Sequence, residues 1–172
     1  MSSGSRVLWL VFGVIAAAAG LLWLGSWIAV WQWEQQVAAV VPARVVALAN
    51  AERQASALLP LAANPVLAAA AQAKAEDMAA REYFAHQSPE GWEPWVWLER
   101  AGYAYLSAGE NLAVNFYQSQ TVVEAWLASP RHRDNILRPD FTEMGLGVAT
   151  GRYRGAPAVF IVQYLAAPAP EF

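Results

Sequence analysis

Between Arg6 and Glu34 the chain carries no charged residue. The run from Val7 to Trp33 is dominated by Leu, Val, Ile, Ala and Trp, and it exceeds the about 20 residues that a helix needs to cross a hydrocarbon core. It therefore reads as one N-terminal transmembrane helix, which divides the chain into a cytoplasmic N-terminus (1–6), the span (7–33), a short connector (34–42) and an extracytoplasmic domain (43–172). A secretory signal would have a shorter apolar region, about 7–15 residues, with a small-x-small cleavage site close behind. The triplet Ala47-Leu48-Ala49 has that form but lies well beyond the run, inside an amphipathic helical pattern. Trp23, Trp27, Trp31 and Trp33 crowd the second half of the span, where an aromatic belt meets the interface. Arg6 and the amino terminus precede the span, and the next base after Glu34 is Arg44. Positive-inside bias thus orients a single pass with its N-terminus in the cytoplasm. The lipid bilayer is the first expected partner. Gly13, Ala16 to Ala19 and Gly20 permit close helix packing, which makes the tryptophan-rich span a candidate docking surface for a membrane-protein complex.

All 14 acidic residues and ten of the 11 basic ones follow the span, so the remainder is net acidic, and no basic patch speaks for nucleic acid. Cysteine is absent, which excludes disulfides, thiolate metal sites and a cysteine nucleophile while leaving the compartment open. A domain of about 130 residues without disulfides rests on a buried core, and that length suffices for one.

Along the domain, Val45, Leu48, Ala49, Glu52 and Arg53 suggest a helix that ends before Leu59-Pro60. Asn64-Pro65 supplies an N-cap and a first-turn proline for "VLAAAAQAKAEDMAAREYF", whose alanines suit close packing. This helix delivers His86 to a loop that begins near its C-terminus. A third helix covers "EPWVWLERA" and stops at Gly102. The segment "YAYLSAGENLAVNF" reads as strand or irregular chain. Thr121-Val-Val-Glu124 has capping-box spacing and predicts a helix through Ala128, broken by Ser129-Pro130. Finally "EMGLGVATG" and "PAVFIVQYLA", separated by "RYRGA", predict a hairpin. Helices followed by a late hairpin give an α+β layout, and the hairpin needs a further strand near Tyr103 to Leu106 and the helices to pack on.

Four stretches, taken in order, resemble the CAP superfamily of cysteine-rich secretory proteins, antigen 5 and pathogenesis-related 1, in its cysteine-free bacterial SCP-like branch. They are "NAERQASALLPLAANPVLAAAAQAKAEDMAAREYFAHQSPEG", "AGYAYLSAGENLA", "VVEAWLASPRHRDNIL" and "FTEMGLGVA", and they span roughly residues 43 to 167. The resemblance implies an α-β-α sandwich with a small antiparallel sheet between helical layers and a polar cleft. It carries the cleft positions onto His86, Glu110 and His132, and the chain's only two histidines both fall there. Where many eukaryotic members place a second acid after Trp-x-x, this chain has Ser129.

The chemistry of these residues admits two readings. Two imidazoles and a carboxylate could hold a divalent ion such as zinc through His86 and His132, with Glu110 as ligand or candidate general base. The same side chains could instead brace the loops around a ligand-binding cleft by hydrogen bonding. Ser129 belongs to the cleft set, but no oxyanion motif accompanies it as a nucleophile. Trp92, Trp95 and Trp97 are expected in the core rather than stacked on a ligand. Arg131, Arg133 and Arg138 are expected to form a solvated face with Asp134 and Asp140. Two functions follow: an extracytoplasmic, membrane-anchored binding or interaction module, serving as an accessory subunit of a membrane complex, or a metal-dependent, peptidase-like hydrolase. The cleft ligand is unspecified in either.

Overall fold

The computed structural model describes residues 40–170, so the span expected over 7–33 lies outside the described residues. Among the described residues no helix is long and apolar enough to cross a membrane. The elements run α1 (Pro42–Ala55), β1 (Ala62–Ala63), α2 (Pro65–Ala80), α3 (Val96–Arg100), β2 (Tyr105–Val114), α4 (Ser119–Ala128), α5 (Pro130–Ile136), β3 (Glu143–Tyr153) and β4 (Ala156–Pro168).

Local chemistry explains most boundaries. Asn64 is extended, and its side-chain oxygen accepts from the Val66 and Leu67 amides at 2.8 and 3.1 Å, with Pro65 opening α2. The helix stops at Ala80, short of the expected Phe84, and Glu82 then takes a positive φ of 55°. Residues 81–95 consequently form a long strap rather than helix. Gly102, at φ +75°, ends α3 as expected, though α3 starts only at Val96. The capping box expected at Thr121 is not formed. Gln118 is the extended residue before α4, the Thr121 hydroxyl donates to the Gln118 carbonyl at 2.9 Å, and Glu124 accepts from the Gln120 side chain instead of the backbone. The hairpin loop is tighter than "RYRGA" suggests: Arg154 and Gly155 sit at φ 52° and 79°, a two-residue turn whose twist suits the flanking strands.

Strand order is β1-β3-β4-β2. The three long strands are antiparallel, but β1 joins the edge of β3 in parallel, so the sheet is a four-stranded mixed one rather than the small antiparallel sheet expected. Two residues of β1 suffice, because the Ala62 amide donates to the Thr142 carbonyl and that of Asn64 to the Met144 carbonyl. Every residue of β4 from Ala158 to Ala166 is fully buried. A strand buried on both faces needs cover on both sides, and helices supply it. Phe160, Val162 and Tyr164 pack with Leu67, Ala71, Ala75 and Met78 of α2 and with Trp97 and Leu98 of α3. On the opposite face lie Val159, Ile161, Gln163 and Leu165, on the side of α1, α4 and α5. Alanines let α2 approach closely, and glycines receive it. A Cβ on Gly145 or Gly147 would fall 2.2 Å from α2 backbone atoms.

Candidate functional site

β2 is one of the two edge strands of the sheet, and at that edge the strap after α2 and the short helix α5 come together. Register decides which β2 side chains serve which face. Glu110 lies opposite Tyr164 on the α2 side, and Asn111 lies opposite Gln163 on the α5 side. Asn111 donates to Gln163 Oε1 at 2.9 Å and to the His132 carbonyl at 3.2 Å, and accepts from Asn135 Nδ2 at 2.9 Å. Asn135 also donates to the Glu110 carbonyl at 3.1 Å, so this amide cluster seats α5 on the strand. Ser129, extended at ψ 119°, turns the chain between α4 and α5 and brings His132 into the first turn of α5.

The result is a cleft of about 550 Å³ lined by His86, Glu110, Ser129 and His132, with Arg131, Asp134 and Asn135 completing its wall. All four residues named from the sequence are therefore brought together. His86 Nδ1 lies 2.6 Å from Glu110 Oε1, and the imidazole side chain is 58% exposed whereas the carboxylate behind it is 2% exposed. Glu110 consequently meets the cleft through His86. Its second oxygen, Oε2, is buried with no hydrogen-bond partner among the described residues.

The donor set does not fit a zinc centre. Glu110 Oε1 is occupied by the His86 ring, Ser129 stands where a second acid would be, and among the described residues no three His, Asp or Glu side chains group to hold a metal ion. Two imidazoles alone fall short of the three protein ligands that a catalytic zinc takes.

Burial, and secondarily the nearby His86 ring, push the His132 imidazole below its ordinary range. The folded state therefore binds that proton more weakly than the unfolded chain does. The His132 contribution to stability is complete above the unfolded imidazole range and is lost as pH falls from that range through the lower folded value. The urea midpoint of the wild type is expected to drop more between about pH 7.5 and about pH 5.5 than that of His132→Gln, which brackets the ordinary histidine pKa of about 6.5. Equal drops in the two proteins would contradict the assignment.

Lys74, the chain's only lysine, was not singled out in the sequence. It is fully buried, and its Nζ donates to the His86 carbonyl at 2.8 Å and to the Tyr83 hydroxyl at 3.2 Å. Tyr83 in turn donates to Asp77 at 2.6 Å. Burial lowers the amine's affinity for its proton, whereas Glu110 and then Asp77 act to retain it. A signal did exist: Leu67, Ala70, Ala71, Lys74, Ala75 and Met78 follow the spacing of a single helix face, so the lysine sits on the core stripe of α2. Arg81 pairs with Glu90, and Tyr164 donates to the Pro94 carbonyl at 2.8 Å, which holds the rest of the strap. Of the three tryptophans expected in the core, Trp97 is buried. Trp92 is exposed, with the Arg100 guanidinium 4.1 Å from its ring centre. Arg138 pairs with Asp140 at 2.8 Å, as expected of the basic face, while Arg131 and Asp134 line the cleft.

The cysteine-rich secretory protein (CAP) family model matches residues 46–165. The chain is 44% identical over 104 residues to YkwD of Bacillus subtilis, described as uncharacterized, covering 60% of this chain and 40% of that protein. To YlbC of the same organism, described as an uncharacterized membrane protein, it is 38% identical over 73 residues, covering 42% of this chain and 21% of the other. It thus spans less than half the length of either relative. An extracellular protein containing an SCP domain from Bacillus anthracis superposes with a TM-score of 0.62 at 31% identity, over 73% of this chain and 39% of that one. An outer surface protein of Borrelia burgdorferi shares the fold, with a TM-score of 0.59 at 20% identity over 71% of this chain and 89% of its own. With a matched segment that contains every cleft residue and most of the sheet, this cysteine-free chain belongs to the CAP family.

Proposed function

We propose that this chain is a membrane-anchored, extracytoplasmic CAP-domain binding module whose cleft around His86, Glu110, Ser129 and His132 captures a ligand without turning it over. The observation that carries this reading is the construction of the cleft. One imidazole is exposed and pinned from behind by a buried carboxylate, a second faces the same space, and the acid that would extend the set is a serine. Such a set offers directional hydrogen bonding in an open, polar hollow.

The uncharged run over 7–33 supports anchoring by a single helix with a cytoplasmic N-terminus, and the tryptophan-rich span would also dock the chain as an accessory subunit of a membrane complex. Similarity to a protein described as a membrane protein, and to one described as extracellular, agrees with both halves of the proposal. A C-terminal alkaline phosphatase fusion to the full chain is expected to be active in cells, because that reporter matures only outside the cytoplasm; an inactive fusion overturns the orientation. Purified full chain in detergent is expected to show no metal-dependent peptide cleavage. Zinc-dependent hydrolysis of a casein substrate that disappears in His86→Ala and His132→Ala, both still folded, would overturn binding without turnover.

A further inference from the structure

An apolar groove of about 320 Å³ opens where the chain enters the domain, and it shares no residue with the His86 cleft. Its walls come from the first turns of α1 and α2 and from the start of β3, among them Pro42, Val46, Pro65, Ala68, Met144 and Leu146. The one polar side chain among the lining residues, Asn64, spends its amide on the α2 cap and on Glu143. Such a lining offers contact area but little to orient a small polar ligand. Val41 and Val66, next in sequence to Pro42 and Pro65, are themselves 48% and 36% exposed. Apolar surface gathered in this way marks a contact with another apolar body.

Charge is distributed to match. Between Glu34 and Glu52 the only charged residue is Arg44, and between Arg53 and Glu76 the only one is Lys74, which is buried. Glu143, at the start of β3, is engaged by Asn64 Nδ2 at 2.9 Å and by the Tyr103 hydroxyl at 2.5 Å. Arg44 is exposed in the first turn of α1. A base there works against the helix dipole, so α1 itself gains nothing from it. On a domain that is net acidic, these segments thus show an apolar surface with a single guanidinium. That combination suits an anionic leaflet, with the valines at the acyl boundary and the arginine at the phosphates.

The tether supplies the reason that a leaflet is what lies opposite. Val40 is buried and the Val41 amide donates to the Ser119 hydroxyl at 3.0 Å, so the chain is clamped as it enters the domain. Only residues 34–39 separate that clamp from the end of the uncharged run at Trp33. The chain from Trp33 to Val40 reaches about 25 Å at full extension. A domain of this length is roughly 35 Å across. With the run over 7–33 in a bilayer, a tether shorter than the domain is wide keeps the surface beside Val41 close to lipid. We propose that the groove and its rim are a membrane-docking surface, which rests on the extracytoplasmic leaflet with Val41 and Val66 against lipid and Arg44 among the headgroup phosphates. The domain then presents its cleft in a fixed orientation instead of swinging on the tether. This rests on the anchoring proposed above, and the test separates the two.

The chain has no cysteine, so single-cysteine variants of the full chain each take one nitroxide label. Ala43→Cys labels the groove, and Ala156→Cys labels the hairpin, at the other end of β3 from Met144. In vesicles of phosphatidylcholine and phosphatidylglycerol, the label at 43 is expected to be reached by lipid-dissolved oxygen and shielded from a water-soluble nickel chelate. The label at 156 should behave in the opposite way. Adding Val41→Asp and Val66→Asp, both at exposed positions where the fold tolerates them, should return label 43 to water, and Arg44→Glu should lessen its shielding. Carbonate extraction of the same vesicles checks the anchor by itself. Chain that is retained but has label 43 as open to nickel as label 156 overturns the docking and leaves the anchor standing, whereas chain that carbonate releases overturns both. Spin–spin broadening between labels at 43, with no gain in oxygen contact, would assign the face to a second copy and overturn the lipid.

Discussion

Gly147→Ala is expected to destabilise the domain by about 3 kcal/mol, the upper end for forcing atoms into a packed core. A Cβ there would lie 2.2 Å from Gln72 N and 2.3 Å from Ala71 C, both backbone atoms of α2, and no rotamer change relieves such a contact. The helix must move away from the sheet, and it would carry Lys74 with it. Urea unfolding is the primary check, with the slope expected to stay constant while the midpoint falls. A second consequence is specific to this fold: the amide signals of residues 86 and 110 should shift, although both lie far along the chain from position 147. Gly145 has the same relation to Leu67 and Ala68, so Gly145→Ala should behave alike. Unchanged stability in both variants would mean that α2 does not seat on those glycines.

Arg53→Met is expected to cost about 3–5 kcal/mol, from buried carbonyls left without a donor at about 1–3 kcal/mol each. The side chain is 1% exposed, and it donates to the carbonyls of Leu59, Ile136, Arg138 and Phe141 at 2.8 to 3.2 Å. Methionine fills much of the volume but leaves those four acceptors without their donor, and the Ile136 and Phe141 carbonyls are then buried polar groups short of a partner. Burial lowers the guanidinium's proton affinity, yet from so high a starting value that it stays charged. Because Ile136 closes α5, the loss should loosen the helix that carries His132. Hydrogen exchange at Leu137, whose amide caps that helix, should accelerate well before global unfolding. Arg53→Lys should recover part of the stability, since an ammonium keeps the charge but has fewer donors and no fork geometry. A folded Arg53→Met protein with wild-type stability and protection at Leu137 would contradict this role.

Elements whose boundaries depend on the backbone preferences of one or two residues were legible in the sequence. Asn64-Pro65 opens α2, Gly102 closes α3, and Ser129-Pro130 separates α4 from α5, because capping, positive φ and the proline ring act within a few residues. The capping box at Thr121 shows where such local reading gives out. The residues had the right spacing, but Gln118 is the one held extended, and the helix begins at Ser119. The strap over 81–95 likewise took residues that composition assigned to the helix, because the Pro94 and His86 carbonyls are tied to Tyr164 and Lys74 outside it, while Arg81 and Ser88 close the strap on itself through Glu90 and Trp92.

The cleft divides in the same way. Sequence by itself determined the membership of His86, Glu110, Ser129 and His132, through a resemblance resting on ordered motifs and on the coincidence of the only two histidines with cleft positions. It also determined what could not be there, since cysteine chemistry is absent. Only the tertiary structure decided how those residues relate. Strand register put Glu110 and its neighbour Asn111 on opposite faces, so that one pins an imidazole and the other seats a helix. Helix packing buried Lys74 beside that imidazole's loop, and chain closure wrapped four carbonyls around Arg53. The physical reason is the range of the forces involved: caps and turns are settled by neighbours in sequence, whereas the countercharge of a buried group is set by what folding brings within a few ångströms of it.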